Sequence, residues 1–535
     1  MIRRVLFITV AAGLIHATSA MAATCDSLGV LPLQNAHVTS AQLVAAGAFT
    51  PPAPPVVPGR EGAAGRAGAA GRDGAAGGRG ARGGGRGGNQ AGPYATLPAF
   101  CRVAVTLTPS PDSDIRIEVW LPDSSAWNGK FQAVGNGAWQ GSIGYAAMAE
   151  ALRRGYATTS TDTGHVGGSA SFGMGHPEKV TDFAYRSEHE MTVTAKAIVN
   201  AFYGSAPKFS YWTGCSAGGR QAMKAAQMFP ADFDGIIAGS PGLDWSGRTA
   251  QAVRIAQALQ KEEARFTPAK AQVLHTAVVN ACDQLDGLKD GLIENPAACK
   301  FDPAVLVCKG GEEPACLTQA QVETAKLIYS PIVDAKTKRE IPGLAPGSEL
   351  GWTDMGWSAS ARATGLDHFR FLVYADPTWD IQKFNVATDV ARLTENSVIA
   401  AIDARDTNLK PFFDRGGKLL QYHGWSDPQI TPLASTSYYD KVTAAHGGRS
   451  KVHSSYRLFM APGMAHCGGG EGPNDFDELT ALEQWVEHGK APDMIPASHV
   501  RDGKVDRTRP LCAYPQVASY KGSGSIDDAA SFVCK

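Results

Sequence analysis

Charge of one sign is lacking. The 535-residue chain sets 50 Lys and Arg against 51 Asp and Glu, a net charge of -1 at neutral pH. No overall field points to nucleic acid or another polyanion, so a small neutral or weakly charged substrate fits better. Long apolar runs are lacking as well. Val5 to Ile15 falls short of the about 20 residues that a membrane helix needs, and no other segment comes near that length. No membrane span is therefore expected. Nor is a cysteine left over: the count of ten is even, which suits an oxidising compartment where disulfides persist.

What the sequence does hold begins with an address. Arg3 and Arg4 precede the apolar run, and Ala20-Met21-Ala22 offers a small-residue cleavage site. Residues 1–22 are thus read as a signal peptide and the protein as secreted or periplasmic. From 51 to 93 the composition turns to Pro, Gly, Ala and Arg. Glycine recurs at every third position from Gly59 to Gly77, the period of a collagen helix, but no proline sits inside the triplets and the pattern breaks at Gly77-Gly78. A flexible solvated insert is the better reading. Three cysteine pairs close in sequence suggest local staples: Cys282 with Cys299, Cys308 with Cys316, and Cys512 with Cys534. Spacing alone does not dictate connectivity.

The length exceeds what one hydrophobic core usually carries. After Tyr94, short apolar runs alternate with helical patterns, as in an α/β protein. Strands are predicted at Arg116 to Leu121, Lys130 to Val134, Phe209 to Thr213, Lys418 to Tyr422 and Ser455 to Met460, and helices at Thr181 to Tyr203 and Gln221 to Met228. The stretch from Trp245 to Asp406 has a different texture, with cysteines, an acidic loop and scattered aromatics. The simplest organisation is a core in two parts, 23–245 and 407–535, with a lid inserted over 246–406.

Gly214-Cys215-Ser216-Ala217-Gly218 satisfies G-x-S-x-G and falls between a predicted strand and a predicted helix, where an α/β-hydrolase carries its nucleophile. The glycines leave room for a sharp turn that exposes the serine hydroxyl. Serine needs a base to react at neutral pH. Two later strands run into Asp427 and His466, giving the hydrolase order of serine, acid and histidine. His466 would take the Ser216 proton, and Asp427 would fix the imidazole tautomer. His423, only four residues before Asp427, is expected to line the pocket instead. His165, His176 and His189 precede the serine and fit that order poorly. Cys215 directly precedes Ser216 and Cys467 directly follows His466, so a disulfide between them would clamp nucleophile and base together. For the oxyanion hole, the Ala217 N–H follows from the motif; a second donor is sought in Gly135-Asn136-Gly137, with Gly137 favoured and Gly135 still open.

Further stretches share one pattern: Leu97-Pro98-Ala99-Phe100-Cys101, Trp127-Asn128-Gly129-Lys130-Phe131, Ser160-Thr161-Asp162-Thr163-Gly164-His165, Gly219-Arg220-Gln221 and His423-Gly424-Trp425-Ser426-Asp427. With the motifs above, they resemble the tannase and feruloyl esterase family, which also includes hydrolases of mono(2-hydroxyethyl) terephthalate. The resemblance implies an α/β-hydrolase core with a large lid and a disulfide beside serine and histidine. It also implies pairing of Cys25 with Cys101. The Gly/Arg-rich insert between those two cysteines is no part of the family pattern.

Asp283 to Leu292 concentrates carboxylates at turn-forming spacing, which suits a hard cation such as calcium as readily as it suits a solvated acidic turn. It is not an EF-hand, because the acid spacing differs and the terminal glutamate is absent. The resemblance implies a structural calcium in the lid, held by the side chains of Asp283, Asp286 and Asp290 and the carbonyls of Leu288 and Leu292, with no organic cofactor. The expected function is hydrolysis of aromatic-acid esters, feruloyl-type first, with galloyl esters and terephthalate monoesters as alternatives. Trp352, Trp357, Phe369, Phe371 and Trp379 are the candidate lid aromatics for contact with the acyl ring, with plain packing the alternative for each. A rival reading is a non-catalytic surface or matrix-binding protein on a hydrolase scaffold, using the Gly/Arg tract; the intact serine, histidine and aspartate argue against it.

Overall fold

A computed structural model describes residues 23–53, 92–311, 313–335, 337–353 and 365–535. The signal-peptide reading, most of the Gly/Arg-rich insert and Trp357 lie outside those residues. Among the described residues one sheet holds nine strands: β1 (Ala36–Val44), β2 (Phe100–Leu107), β3 (Ile115–Pro122), β4 (Lys130–Val134), β5 (Ala157–Thr161), β6 (Phe209–Cys215), β7 (Gly235–Gly239), β8 (Lys418–Gly424) and β9 (Tyr456–Ala461). Their spatial order is β1-β2-β3-β5-β4-β6-β7-β8-β9. The first four in that order pair antiparallel. From β5 to β9 the pairing is parallel. This is the α/β-hydrolase arrangement.

The parallel strands are covered on both faces, which is why β7 (GIIAG) and β9 (YRLFMA) are buried throughout rather than alternating. On one face lie α2 (Ser187–Tyr203), α3 (Ala217–Met228) and α7 (Pro432–Ala445), contributing Met191, Ala222 and Tyr439 to a common core. On the other lie α1 (Tyr145–Arg153) and α8 (Glu478–His488), whose Leu482 and Trp485 pack on Tyr211 and Leu420. Trp485 is 2% exposed, so truncating it to Ala would cost about 3–5 kcal/mol.

The helix predicted from Thr181 differs at its start. A single turn at Pro177–Thr181 is followed by a wide π turn over Asp182–Arg186, and regular helix begins only at Ser187. The widening frees carbonyls: Arg220 donates to Ala184 O at 2.7 Å and to Phe183 O at 2.8 Å.

Between β7 and β8 the chain leaves the sheet for a large insertion that includes α4 (Trp245–Ala258), α5 (Pro268–Cys282) and α6 (Gln319–Tyr329). It builds apolar cores of its own, one around Phe369 and Trp379 and another around Leu274, Ile328 and Trp352. Its two ends meet. Ala404 N–H donates to Leu243 O at 2.8 Å, and Asp403 accepts from the Ser246 N–H (2.8 Å) and Oγ–H (2.7 Å). Arg339, from the middle of the insertion, ion-pairs with Asp244 and lies 3.5 Å from Asp403.

A hairpin of β10 (Met494–Arg501) and β11 (Lys504–Cys512) stands apart from the main sheet. Five disulfides join Cys25 to Cys101, Cys215 to Cys467, Cys282 to Cys299, Cys308 to Cys316 and Cys512 to Cys534. No helix among the described residues is long and apolar enough to cross a membrane.

Candidate active site

Ser216 sits between the last residue of β6 and the first of α3, with φ 63° and ψ -120°. A side chain in the left-handed region is strained, and the surroundings hold it there. A Cβ on Gly214 would come within 2.6 Å of the Gly218 carbonyl carbon, and one on Gly135 within 2.5 Å of the Gly218 Cα. Only glycine lets the turn close against the β4 loop, where Gly218 N–H donates to Asn136 O at 2.8 Å. The turn brings the half-buried Ser216 to the carboxyl end of the parallel strands, where groups from separate loops meet.

Asp427 follows β8 and is fully buried. Its Oδ1 accepts from the N–H groups of Gln429 (2.8 Å) and Ile430 (3.0 Å). Its Oδ2 faces His466 Nδ1 at 2.7 Å and His423 Nε2 at 3.1 Å. Burial alone would raise the pKa of this carboxyl, but His466 and His423 together outweigh it and hold it well below the usual carboxylate range. His423 is also fully buried, its Nε2 shared with Ile430 O at 3.0 Å and its Nδ1 2.7 Å from Ser435 Oγ. Both neighbours of Nε2 are acceptors, so that nitrogen carries the hydrogen. His423 therefore backs the acid instead of lining a pocket, contrary to expectation.

His466 follows β9 and spends Nδ1 on Asp427, which leaves Nε2 to exchange a proton with another group. Its side chain is only 8% exposed. The next residue, Cys467, bonds to Cys215, so Ser216 and His466 flank one disulfide whose Cα atoms are 6.0 Å apart. A second tie reaches this loop from the insertion. His275 on α5 is 2.8 Å from Glu349 through Nδ1 and 2.8 Å from Glu471 through Nε2. Glu471 lies in the loop after His466, and its N–H donates to Gly463 O at 3.0 Å.

Of the proposed oxyanion donors, Gly135 is already engaged, its N–H donating to Thr213 O at 3.1 Å. Asn136 N–H donates to Gln221 Oε1 at 3.0 Å. Gly137 and Ala217 are the remaining amides at this corner. Ala217 also belongs to a cluster with Trp139, Phe183, Trp245 and Leu372, against which Phe371 packs. Trp139 and Trp245 meet edge to face at 4.9 Å. Of the lid aromatics, Phe371 alone among those described joins this cluster. Trp352, Phe369 and Trp379 are 0%, 0% and 4% exposed and pack inside the insertion, because rings that large fill its separate cores.

Sequence reasoning did not single out Trp139, Trp245, Arg220 or Arg248. Arg220 stood inside a quoted motif; it is fully buried, and the carbonyls of Ala184, Phe183 and Ile402 with the ring faces of Phe183 and Trp245 are what hold a guanidinium there. Trp139 follows Gly137 by two residues, a signal the sequence carried unread.

In the acidic loop, Asp283 accepts from the N–H groups of Asp290 (3.2 Å) and Gly291 (3.0 Å), Asp286 from Leu288 (2.9 Å), and Asp290 from Leu292 (3.1 Å). Arg509 of β11 ion-pairs with Asp290. Among the described residues no three His, Cys, Asp or Glu side chains converge tightly enough to hold a metal ion as they stand. The donors nevertheless fit a hard cation in kind. Burial, and then the neighbouring carboxylates of Asp290 and Asp283, push the Asp286 pKa up against the Leu288 N–H and Arg509. A cation would relieve that repulsion.

The family model described as tannase and feruloyl esterase matches residues 101–535. An uncharacterized esterase of Xanthomonas campestris is 34% identical, with 99% of this chain and 94% of that protein covered. A probable feruloyl esterase B-1 of Aspergillus fumigatus is 34% identical, over 84% of this chain and 88% of its own. The crystal structure of feruloyl esterase B from Aspergillus oryzae matches with a TM-score of 0.82 and 31% identity, covering 96% of this chain and 99% of that one. Tannin acyl hydrolase from Aspergillus niger, at 20% identity and a TM-score of 0.69 over 95% and 94% of the two chains, shares the fold. With its hydrolase sheet, its serine turn and these relatives, the chain belongs to the tannase and feruloyl esterase family and is a carboxylic ester hydrolase.

Proposed function

We propose that this chain is an exported esterase that cleaves esters of aromatic acids through an acyl-serine intermediate. Ser216 Oγ attacks the ester carbonyl while His466 Nε2 takes its proton. The N–H groups of Gly137 and Ala217 receive the oxyanion of the tetrahedral intermediate. His466 then returns the proton to the leaving alcohol, and the acyl group stays on Ser216. Water attacks next, giving one proton to His466, and the acid leaves as Ser216 recovers its hydrogen. Asp427 keeps Nδ1–H pointed at itself and stabilises the imidazolium. The observation that carries this reading is the 2.7 Å contact of His466 Nδ1 with a buried carboxylate, on a loop bonded by Cys467 to the residue before Ser216.

The names of the relatives favour feruloyl-type esters over galloyl esters and terephthalate monoesters. The aromatic cluster beside Ala217 suits an aromatic acyl group. The disulfides and the N-terminal pattern support export. Asp283, Asp286 and Asp290, with the carbonyls of Leu288 and Leu292, would hold a calcium ion that braces the insertion and takes no part in bond cleavage. Measuring kcat/KM on methyl ferulate, methyl gallate and mono(2-hydroxyethyl) terephthalate side by side tests the substrate class. Ser216→Ala tests the mechanism: full turnover by that variant would overturn it. Covalent labelling of Ser216 by a fluorophosphonate is expected, and folded protein that fails to label would favour a non-catalytic role.

A further inference from the structure

A cavity lies between the insertion and the loop that follows Asp427. Its walls are apolar, with Leu243, Ile255, Ile341, Leu344 and Ile430 among them. It adjoins the catalytic turn, since its lining residue Gly242 donates its N–H to Ser216 O at 3.3 Å, but neither Ser216 nor His466 lines it. Gln429, Thr431 and Asp244, the last ion-paired with Arg339, also line the cavity, and two further polar side chains lack full partners. One is Arg248, which makes a single side-chain hydrogen bond, from Nε to Gln429 O at 3.1 Å, and lies 5.6 Å over the Trp245 ring. Among the described residues it has no carboxylate within ion-pair reach. The other is Gln251, 5% exposed, whose Oε1 has no hydrogen-bond partner while its Nε2 donates to Ile328 O at 3.4 Å.

A half-buried guanidinium without a contact ion pair and a buried acceptor without a donor are both costly arrangements. Burial already pulls the Arg248 pKa down, with only Asp427 opposing it. A carboxylate would answer the first and a hydroxyl the second, while the apolar walls would take a hydrocarbon body between them.

We propose that this cavity binds a small hydroxy-substituted carboxylic acid, its carboxylate on Arg248, its hydroxyl donating to Gln251 Oε1 and its body against Ile255, Ile341 and Leu344. The acids released by the proposed esterase reaction belong to this class. The site's biological sense rests on that reading; its test does not, because binding is measured without turnover.

The experiment is calorimetric titration of the full-length protein with 4-hydroxybenzoate. Saturable binding is expected, weakened by about tenfold or more in Arg248→Gln, as for loss of a charge-assisted contact. In Gln251→Leu, 4-hydroxybenzoate is expected to weaken while benzoate is unchanged. Should Arg248→Gln fail to fold, Ala252→Leu, which adds bulk at a lining position and leaves both polar side chains in place, is expected to abolish binding. Protein whose Ser216 has been blocked by a fluorophosphonate is expected to bind as before. Absence of saturable binding, equal affinity in the wild type and in Arg248→Gln or Ala252→Leu, or loss of binding on blocking Ser216 would each overturn the proposal. None of those results would touch the esterase reading, which the Ser216→Ala turnover decides.

Discussion

Cys215 and Cys467 stand 252 residues apart in the chain, and their disulfide joins the residue before Ser216 to the residue after His466. Closing so long a loop restricts the unfolded chain by roughly 5–6 kcal/mol in the chain-entropy account. It also fixes the separation of two loops that no shared strand pair would fix. Replacing both cysteines by alanine is expected to lower the melting temperature and to cut kcat more than it raises KM. Calorimetry and steady-state kinetics on one ester substrate check this; unchanged kcat would show that the bridge serves stability alone.

Asp427→Asn keeps the size of the side chain but presents an amide to an imidazole that needs an acceptor. A loss of roughly 10³- to 10⁴-fold in kcat with little change in KM is expected. The folded-state pKa of Asp427 is depressed, so its contribution to stability is present above the unfolded carboxylate pKa and is lost as pH falls through the folded value. Acid unfolding of Asp427→Asn, followed by circular dichroism, should be less steep than that of the wild type.

His275 behaves in the opposite sense. Burial pulls its pKa down, but the carboxylates of Glu349 and Glu471 outweigh this and lift it to about 9. A folded pKa above the unfolded value of about 6.5 means that the proton is held more tightly in the folded chain. The stability it contributes is therefore complete below that unfolded value and drains away as pH rises through about 9. The melting temperature is expected to fall across this window in the wild type and to stay flatter in His275→Gln. Equal slopes would show that the two contacts carry no net charge effect.

Calcium gives a fourth test. If the loop from Asp283 to Leu292 holds the ion in the folded chain alone, saturating calcium should raise the melting temperature by about 5 °C over chelator-treated protein. Asp286→Asn should remove the difference. Hydrolysis at 25 °C should respond little, since the ion stands apart from the chemistry.

The placement of the three loops was legible because its signals are local: a glycine-flanked serine after a strand, and Asp427 and His466 just past two more strands. The cysteines beside two of these residues carried spatial information that periodicity cannot. Other features depend on partners far away in sequence. The π turn at Asp182–Arg186 makes sense only once Arg220 is seen taking its carbonyls. The engagement of Gly135 N–H by Thr213, which takes that amide out of the candidates for the oxyanion, is a matter of strand register. His423 was misread, and Trp352, Phe369 and Trp379 took the packing alternative, for one reason. A buried ring and a pocket-lining ring have the same sequence appearance, and only packing separates Trp352 and Phe369 from Phe371. The β10 and β11 hairpin does alternate, with Ile495 and Ala497 turned inward, but nothing local shows that it stands apart from the main sheet.

Because Leu243 and Ala404 are hydrogen-bonded neighbours, and Asp403 is tied to Ser246 beside them, the chain enters and leaves the excursion above the sheet at one narrow neck, while side-chain ties such as His275–Glu471 and Arg509–Asp290 reach down elsewhere. Such a neck makes the roof a replaceable cassette. A graft made at these two adjacent seams that keeps His275 over Glu471 would exchange the rest of the roof while the floor with Ser216, Asp427 and His466 keeps its register, which opens a route to new substrate preferences by recombination.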